Sequence, residues 1–193
     1  MLDLSDLSRG MIILFRMKQS DDERNMIKSH PFLLAAALIL GLIGTATAQQ
    51  PKQVSAHKKW QTYVYEGSSK VCFASSNPEK LAPEGRDYGE VFFFVSNRPA
   101  EQVAGEAQLQ VGFDFKQNSQ VKVTIDAQSF NMFTQERGAW VENAAEEGKL
   151  VEAMKAGRSM IVNGESSRGT KFEFLFSLSG VTAAINELPS ICG

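Results

Sequence analysis

The two cysteines are the side chains of this sequence with the clearest possible chemistry. Cys72 and Cys192 are the only cysteines in the sequence, and they lie 120 residues apart. In an oxidising compartment an even pair is typical of one disulfide, which would link an early strand to the C-terminal end. Closing that loop would stabilise the fold by about 4–5 kcal/mol through the entropy of the unfolded chain. Two unrelated buried thiols are the alternative, and the missing C-x-x-C spacing argues against a redox site.

The residue types of hydrolytic enzymes form no recognisable set. A Ser–His–Asp or Cys–His site needs a rigidly held imidazole, and His57 lies in a polar, patternless segment that predicts a solvated side chain. Glu146 and Glu147 could furnish a glycosidase pair, but adjacent residues on a helix face different ways, which favours a solvated surface. The sequence therefore predicts no catalytic residue and no enzyme.

Metal, phosphate and nucleic-acid sites also lack their signatures. Zinc needs three or four Cys, His or carboxylate ligands, and no D-x-D-x-D-G calcium loop is present, although scattered oxygen ligands leave calcium open. Asn163-Gly164 and Arg168-Gly169 are isolated glycine turns and not a phosphate loop. A net charge of −2 without a basic stripe argues against nucleic acid. We expect no metal, no cofactor and no nucleic-acid partner.

One turn offers a possible binding site. Arg168, Gly169 and Thr170 stand at the tip of a predicted hairpin, where an arginine could bind a carboxylate or phosphate group. A solvated arginine, or one paired across the hairpin, is the alternative. Two phenylalanine-rich segments, 92–94 and 172–176, could line an apolar ligand cavity, with core packing as the alternative.

The elements that must position these residues are mostly strands. Between Ser159 and Leu178 two strands flank the turn, and Phe172, Phe174, Phe176 and Leu178 recur at period two, which predicts one buried face. Residues 90–96 are apolar on both faces and predict a central strand covered on each side. Other strands are predicted at 60–66, 70–75, 129–134 and 138–141, with a loop at 77–86 and Trp140 as a core anchor.

A further hairpin is predicted from alternation. Its apolar positions are 109, 111, 113 and 115, then 121, 123 and 125, on either side of a polar turn at 117–120.

Two short helices complete the predicted fold. Asn143 can cap the first, with Glu146 at the capping-box position and Gly157 as the C′ glycine. The second runs from about Gly180 to Leu188, with residue 179 as its cap and residue 189, a proline, as its stop. Short antiparallel strands with two small helices predict a mainly β fold, an antiparallel β-sandwich or flattened barrel.

The N-terminal region predicts a secretory signal peptide at residues 26–48. An apolar run at 32–44 ends in a small-residue site, and it is shorter than the roughly 20 residues of a membrane span. Residues 1–25 are interpreted as a misassigned upstream extension, with translation starting at Met26 or Met17. Residues 49–59 are predicted to be a flexible tether, and residues 60–193 a single β domain.

Several pieces of the chain together resemble a known family, the invasion-associated locus B proteins exported by alphaproteobacteria. The order of these pieces covers the whole exported part: Trp60, Cys72-Phe73-Ala74-Ser75, Phe93-Phe94-Val95, Arg98-Pro99, Ile125-Asp126, Phe133-Thr134, Ala139-Trp140, Ala153-Met154-Lys155-Ala156-Gly157, Gly164, Arg168-Gly169-Thr170, Thr182-Ala183-Ala184 and Cys192. Val181 and Phe174 depart from the family pattern. The resemblance implies a small, mostly β, periplasmic or surface-associated protein, linked in some pathogens to host-cell entry. It implies no catalytic residue.

The functional expectation follows from export, the stapled β fold and the missing catalytic set. We expect a non-enzymatic envelope protein, periplasmic, surface-associated or secreted, that binds an envelope or host protein or another envelope component, with strand edges as its contact mode. It would meet the membrane only through the signal peptide before cleavage. A small-ligand carrier with an apolar cavity between its sheets is the alternative, and an enzyme with a carboxylate pair comes third.

Overall fold

One long antiparallel sheet organises the part of the chain that the computed structural model describes, residues 50–193. The predicted signal peptide at 26–48 and the extension at 1–25 lie outside the described residues. The strands, in chain order, are β1 (Lys52–His57), β2 (Trp60–Glu66), β3 (Lys70–Ser76), β4 (Lys80–Ala82), β5 (Phe92–Arg98), β6 (Val103–Gln110), β7 (Gln120–Ile125), β8 (Gln128–Gln135), β9 (Gly138–Trp140), β10 (Ser159–Glu165) and β11 (Lys171–Ser177). Two helices, α1 (Ala144–Ala156) and α2 (Val181–Cys192), and a 3-10 turn at Pro99–Glu101 complete the fold.

The eleven strands run in the order β1-β2-β3-β5-β6-β9-β8-β7-β10-β11-β4. The sheet is not closed, so β1 and β4 are its edges. It nevertheless curls over itself, because Phe93 of β5 meets Phe176 of β11 edge-to-face at 5.9 Å although five strands separate them in the sheet. The predicted fold class, a mainly antiparallel β fold with two short helices, is confirmed.

The concave side of this curl, here called the inner face, holds the core. Phe172, Phe174, Phe176 and Leu178 are all buried there, as their period-two spacing predicts. Both helices lie on this face. Helix α2 covers β2, β3 and β5 with Val181, Ala184, Ile185 and Leu188, and α1 adds Leu150 and Met154. The apolar stripe of each helix therefore closes the inner face against water.

The predicted hairpin between residues 109–115 and 121–125 is wrong. Strand β6 ends at Gln110 and pairs with β5 and β9, whereas β7 pairs with β8 and β10. The chain leaves the sheet at Gly112, where a Cβ would stand 2.6 Å from the Cα of Gly89. Phe115 is then buried within a largely irregular segment. Alternating burial is thus compatible with an extended loop that presses every second side chain into the core.

The flexible tether predicted at 49–59 is also wrong for most of its length. Residues 52–57 form the edge strand β1, paired with β2. Its burial is low along the whole strand, so no apolar alternation marked it. Backbone pairing and side-chain hydrogen bonds to α2 hold it instead. The predicted loop at 77–86 likewise contains the short strand β4, which pairs with β11.

The helix ends differ from prediction in their mechanism. Asn143 caps α1 as expected, accepting hydrogen bonds from the amides of Ala145 and Glu146. Gly157 has ordinary backbone angles (φ −81°, ψ 172°) and is not a left-handed C′ residue. A glycine is needed there because Ile125 packs so closely against it that a Cβ would collide. Helix α2 is capped by Gly180 in the left-handed region (φ 97°) without a side-chain cap, and it continues through Pro189 to Cys192.

Candidate functional site

The two cysteines are joined in a disulfide between strand β3 and the last residue of α2. Their Cα atoms are 5.6 Å apart, and both side chains are buried. Cys72 faces the same inner side as its neighbour two residues on, Ala74, which places the bond under the helix. The predicted pairing is confirmed, and its role is to fasten α2 to the sheet.

A polar cluster at the sheet edge contains the side chain that sequence reasoning set aside as solvated. His57 Nε2 lies 2.9 Å from Glu187 Oε2, and Ser55 and Thr62 each donate a hydroxyl hydrogen bond to the same carboxylate at 2.8 Å. These hydrogen bonds, first that of His57 and then that of Ser55, lower the pKa of Glu187. His57 is therefore partly buried and engaged, and the prediction of an idle, solvated imidazole is wrong.

This cluster does not have the arrangement of a catalytic triad. In a triad the nucleophile donates to the imidazole, and the carboxylate orients the opposite ring nitrogen. Here the hydroxyls of Ser55 and Thr62 donate to Glu187 and not to His57, so neither is hydrogen-bonded to the imidazole that acts as the base in a triad. The geometry instead ties β1 and β2 to α2 through one shared carboxylate.

The two glutamates considered as a glycosidase pair have separate partners. Glu146 accepts from Lys149 on the helix surface, while Glu147 accepts from the backbone amide of Ala107 at 2.8 Å. Strand β9 reaches only as far as Gln108 along β6, so Ala107 has no strand partner on that side. Burial raises the pKa of Glu147, opposed by this amide hydrogen bond. The Glu147 carboxylate thus accepts the backbone hydrogen bond of β6 that a longer β9 would have accepted.

The hairpin tip that was predicted to bind a ligand is a compact exposed turn. Gly169 has φ 80°, and Ser166 and Thr170 are linked by hydrogen bonds in both directions. Arg168 is exposed and forms no ion pair within residues 50–193. Two surface clefts near this end, of about 420 and 630 Å³, are lined by neighbouring residues and not by Arg168. Binding by residues 168–170 stays a prediction.

Within residues 50–193, packed aromatic rings occupy the part of the core where the alternative prediction placed an apolar cavity. The rings of Phe172 and Phe174 stack at 4.4 Å, and Tyr88 meets Phe174 edge-to-face at 5.0 Å. Phe113 and Phe115 pack on Phe172 at 5.5 and 6.0 Å. Close-packed rings fill this part of the core.

The convex side of the sheet, here called the outer face, carries the feature that sequence reasoning missed. A set of half-buried or exposed rings crosses six neighbouring strands, and we name it the outer aromatic row: Tyr63, Phe73, Phe92, Phe94, Trp140 and Phe133. Adjacent members are in contact, with ring centroids between 5.1 and 5.8 Å apart on each side of β6. Phe133 is 39% exposed.

Trp140 belongs to this row and is not a core anchor. It lies opposite Phe133 in register and stacks on it at 5.8 Å with an interplanar angle of 30°. Its indole extends over Gly138, where a Cβ would collide with the ring. The fully buried tryptophan is Trp60, whose Nε1 donates to the carbonyl of Ser177 at 2.9 Å.

An amide bridges the two halves of the row. Gln108 lies between Phe94 and Trp140 in register and is only 6% exposed. Its Nε2 donates to Oε1 of Gln110 at 3.2 Å. No hydrogen bond from the described residues reaches its own carbonyl oxygen. The outer face therefore combines apolar rings with a polar group held at a defined place among them.

The apolar run in strand β5 contains two residues of this surface, but its pattern predicts a strand covered on both faces. Phe93 and Val95 are buried, as expected for one covered face, whereas Phe92 and Phe94 on the opposite side are covered only by neighbouring side chains. The prediction that both faces of this strand are covered is wrong for the described residues. Aromatic residues on the non-core side of β2, β3 and β5 were the available clue.

Comparison with known proteins gives one family match and one similar solved structure. The family model described as "Invasion associated locus B (IalB) protein" matches residues 60–189. A crystal structure of invasion associated protein B from Bartonella henselae is similar in fold, with a TM-score of 0.50 at 16% identity, covering 71% of this chain and 96% of that one. No curated protein sequence matches this chain.

Neither helix of the described part is long and apolar enough to cross a membrane. The family model covers most of the described residues. The chain belongs to the invasion associated locus B family.

Proposed function

We propose that this protein is an exported, non-enzymatic envelope protein that acts by binding, and that the outer aromatic row is its contact surface. The carrying observation is the row itself: six aromatic side chains stand on the face of the sheet that neither helix covers. Aromatic enrichment with few charges is the composition of the centre of binding interfaces. Exposed aromatic patches on soluble proteins mark interaction sites.

The non-enzymatic part of the proposal is supported by the geometry of the polar clusters. Glu187, with its three hydrogen-bond donors, ties elements together, and Glu147 is occupied by a backbone amide. Among residues 50–193 no group of three or more His, Cys, Asp or Glu side chains is arranged to hold a metal ion. The hydrogen bonds of Glu187 and Glu147 therefore have structural roles, and neither carboxylate needs a catalytic role to explain them.

Site-specific photocrosslinking in the producing bacterium tests the contact surface. A photoreactive phenylalanine analogue at position 133 should yield a discrete adduct, because this ring is exposed at the end of the row. The matched control is the same analogue at Val54, an apolar residue 44% exposed on edge strand β1. Equal adducts at both positions would contradict the proposed surface and favour the sheet edge.

Export is tested by fractionation and intact mass. We expect the periplasmic species to begin at Gln49 and to carry two hydrogens fewer than the reduced chain, because the disulfide forms in an oxidising compartment. A species that retains residues 1–48 in the cytoplasm would contradict export. A host-cell partner would be indicated if the adduct at position 133 formed only in the presence of host cells.

A further inference from the structure

We propose that the outer aromatic row binds an extended, uncharged β-1,4-linked glycan chain. This inference rests on the proposed function, because it names the class of envelope component that the surface contacts. Three properties of the row carry it: its direction, the chemistry of its side chains and its charge.

The direction of the row favours a long, extended ligand. Phe94, Gln108, Trp140 and Phe133 are partners in register on four adjacent strands, so they form a line across the sheet. At about 4.8 Å between strands this line is roughly 14 Å long. Tyr63 and Phe73 continue it diagonally over two more strands. A β-1,4-linked glycan is a flat, extended ribbon that can follow such a line, whereas an α-1,4-linked glycan coils away from it.

The chemistry of the side chains matches the two kinds of surface on a sugar ring. The C–H faces of a pyranose are apolar and pack against aromatic rings, while its hydroxyl rim needs hydrogen-bond partners. Phe94 and Trp140 supply the rings, and Gln108 between them leaves its carbonyl oxygen free of donors from the described residues. A ligand hydroxyl or acetamido N–H can donate to that oxygen.

The charge of the row selects a neutral ligand. From Tyr63 to Phe133 the line contains aromatic, amide and hydroxyl side chains and no carboxylate, ammonium, guanidinium or imidazole group. Beside the row, the guanidinium of Arg98 is occupied by two carboxylates, those of Glu101 and Glu106. A nucleic acid or an anionic lipid would find no cation along the row, and a charged polysaccharide would lose hydration without compensation.

Tryptophan fluorescence gives a direct readout, because the two tryptophans differ in position. Trp140 lies in the row, whereas Trp60 is fully buried and hydrogen-bonded. Titrating N-acetylchitohexaose into the purified full chain should change the emission saturably, and Trp140→Phe should abolish that change. By calorimetry, Phe133→Ala should weaken binding at least tenfold, and the control Val54→Ala should leave it unchanged.

Two further oligosaccharides sharpen the assignment. Cellohexaose shares the β-1,4 linkage without acetamido groups and should bind more weakly through the rings, while maltohexaose, with α-1,4 linkages, should not bind. Equal binding of maltohexaose would overturn the extended-ribbon geometry.

The failure of this inference is distinguishable from the failure of the proposed function. A folded protein that binds neither β-1,4 glycan, yet loses the adduct between the analogue at position 133 and an envelope protein or a second copy when Trp140→Ala is added, overturns the glycan and leaves the contact surface standing. If the glycan binds but neither Phe133→Ala nor Trp140→Ala weakens binding, the glycan site lies elsewhere and this inference is overturned, while the adduct at position 133 still tests the contact surface. Circular dichroism of each variant establishes that it is folded.

Discussion

The inner and outer faces of the sheet carry similar aromatic side chains and differ in what covers them. Phe93 and Phe94 are neighbours in strand β5, but the first is fully buried against Phe176 and the second rests on Phe73 and Phe92 at the surface. Strand geometry alone sends them to opposite sides. The aromatic content of a face therefore does not show whether its rings stabilise the fold or bind a partner. What distinguishes the two faces is whether helices and the curled sheet cover the rings.

The largest expected effect on stability concerns the disulfide that fastens helix α2 to the inner face. Replacing both Cys72 and Cys192 with alanine should lower the free energy of unfolding by about 4–5 kcal/mol, because the bond closes a loop of 120 residues. Urea unfolding followed by circular dichroism measures it. A loss below about 1 kcal/mol would mean that α2 stays on the sheet without its staple.

Neighbouring substitutions in β5 test the comparison most directly. Phe93→Ala should cost about 3–5 kcal/mol, since it leaves a cavity against Phe176. Phe94→Ala removes a half-buried ring and should cost about 1 kcal/mol, since less apolar area is lost. Chemical denaturation of the two variants side by side gives the difference. Equal losses would contradict the division of roles between the faces.

The polar cluster at the sheet edge, here called the clasp, should contribute less; it consists of Ser55, His57, Thr62 and Glu187. Glu187→Ala removes the acceptor of Ser55, Thr62 and His57. Leaving the O–H of the fully buried Thr62 without an acceptor should cost about 1–3 kcal/mol. Thermal unfolding measures the loss. Thr124→Ala, which alters an exposed hydrogen bond on β7, is a control expected to change little.

The same clasp predicts a pH dependence with a definite sign. The pKa of Glu187 is lowered in the fold from its usual 4.5. Its contribution is therefore fully present above about pH 4.5 and is lost as the pH falls through the folded-state pKa. The difference in stability between the native chain and Glu187→Gln should shrink on acidification over that range. A difference that grows below pH 4.5 would contradict the assignment.

The smallest effect is expected where β9 ends. Glu147→Gln keeps a carbonyl oxygen for the Ala107 amide and removes a carboxylate whose pKa is raised by burial. A raised pKa means that the charged form costs stability above the folded-state pKa, so this variant should be neutral or stabilising by less than about 1 kcal/mol at pH 7. Glu147→Ala, which loses the acceptor, should be destabilised. Parallel denaturation at pH 7 distinguishes them.

Several features of the site were predictable from local sequence, and others were not. The Cys72–Cys192 pairing followed from cysteine number. The clasp did not, because His57 and Glu187 are 130 residues apart and neither has a motif. Strand β1 escaped notice since both its sides are largely exposed. The outer aromatic row escaped because Phe92 and Phe94 satisfy a core interpretation equally well.

By itself the sequence determined the family, the strand-rich class, the buried face of β11 and the disulfide partners. These depend on period-two spacing, cysteine number and the order of short motifs, all of which are local or additive along the chain. Only the tertiary structure decided that β6 and β7 separate at Gly112, that His57 joins α2 and that Trp140 faces outward. The physical reason is that alternation assigns residues to two faces, while sheet curvature and helix packing decide which face water reaches.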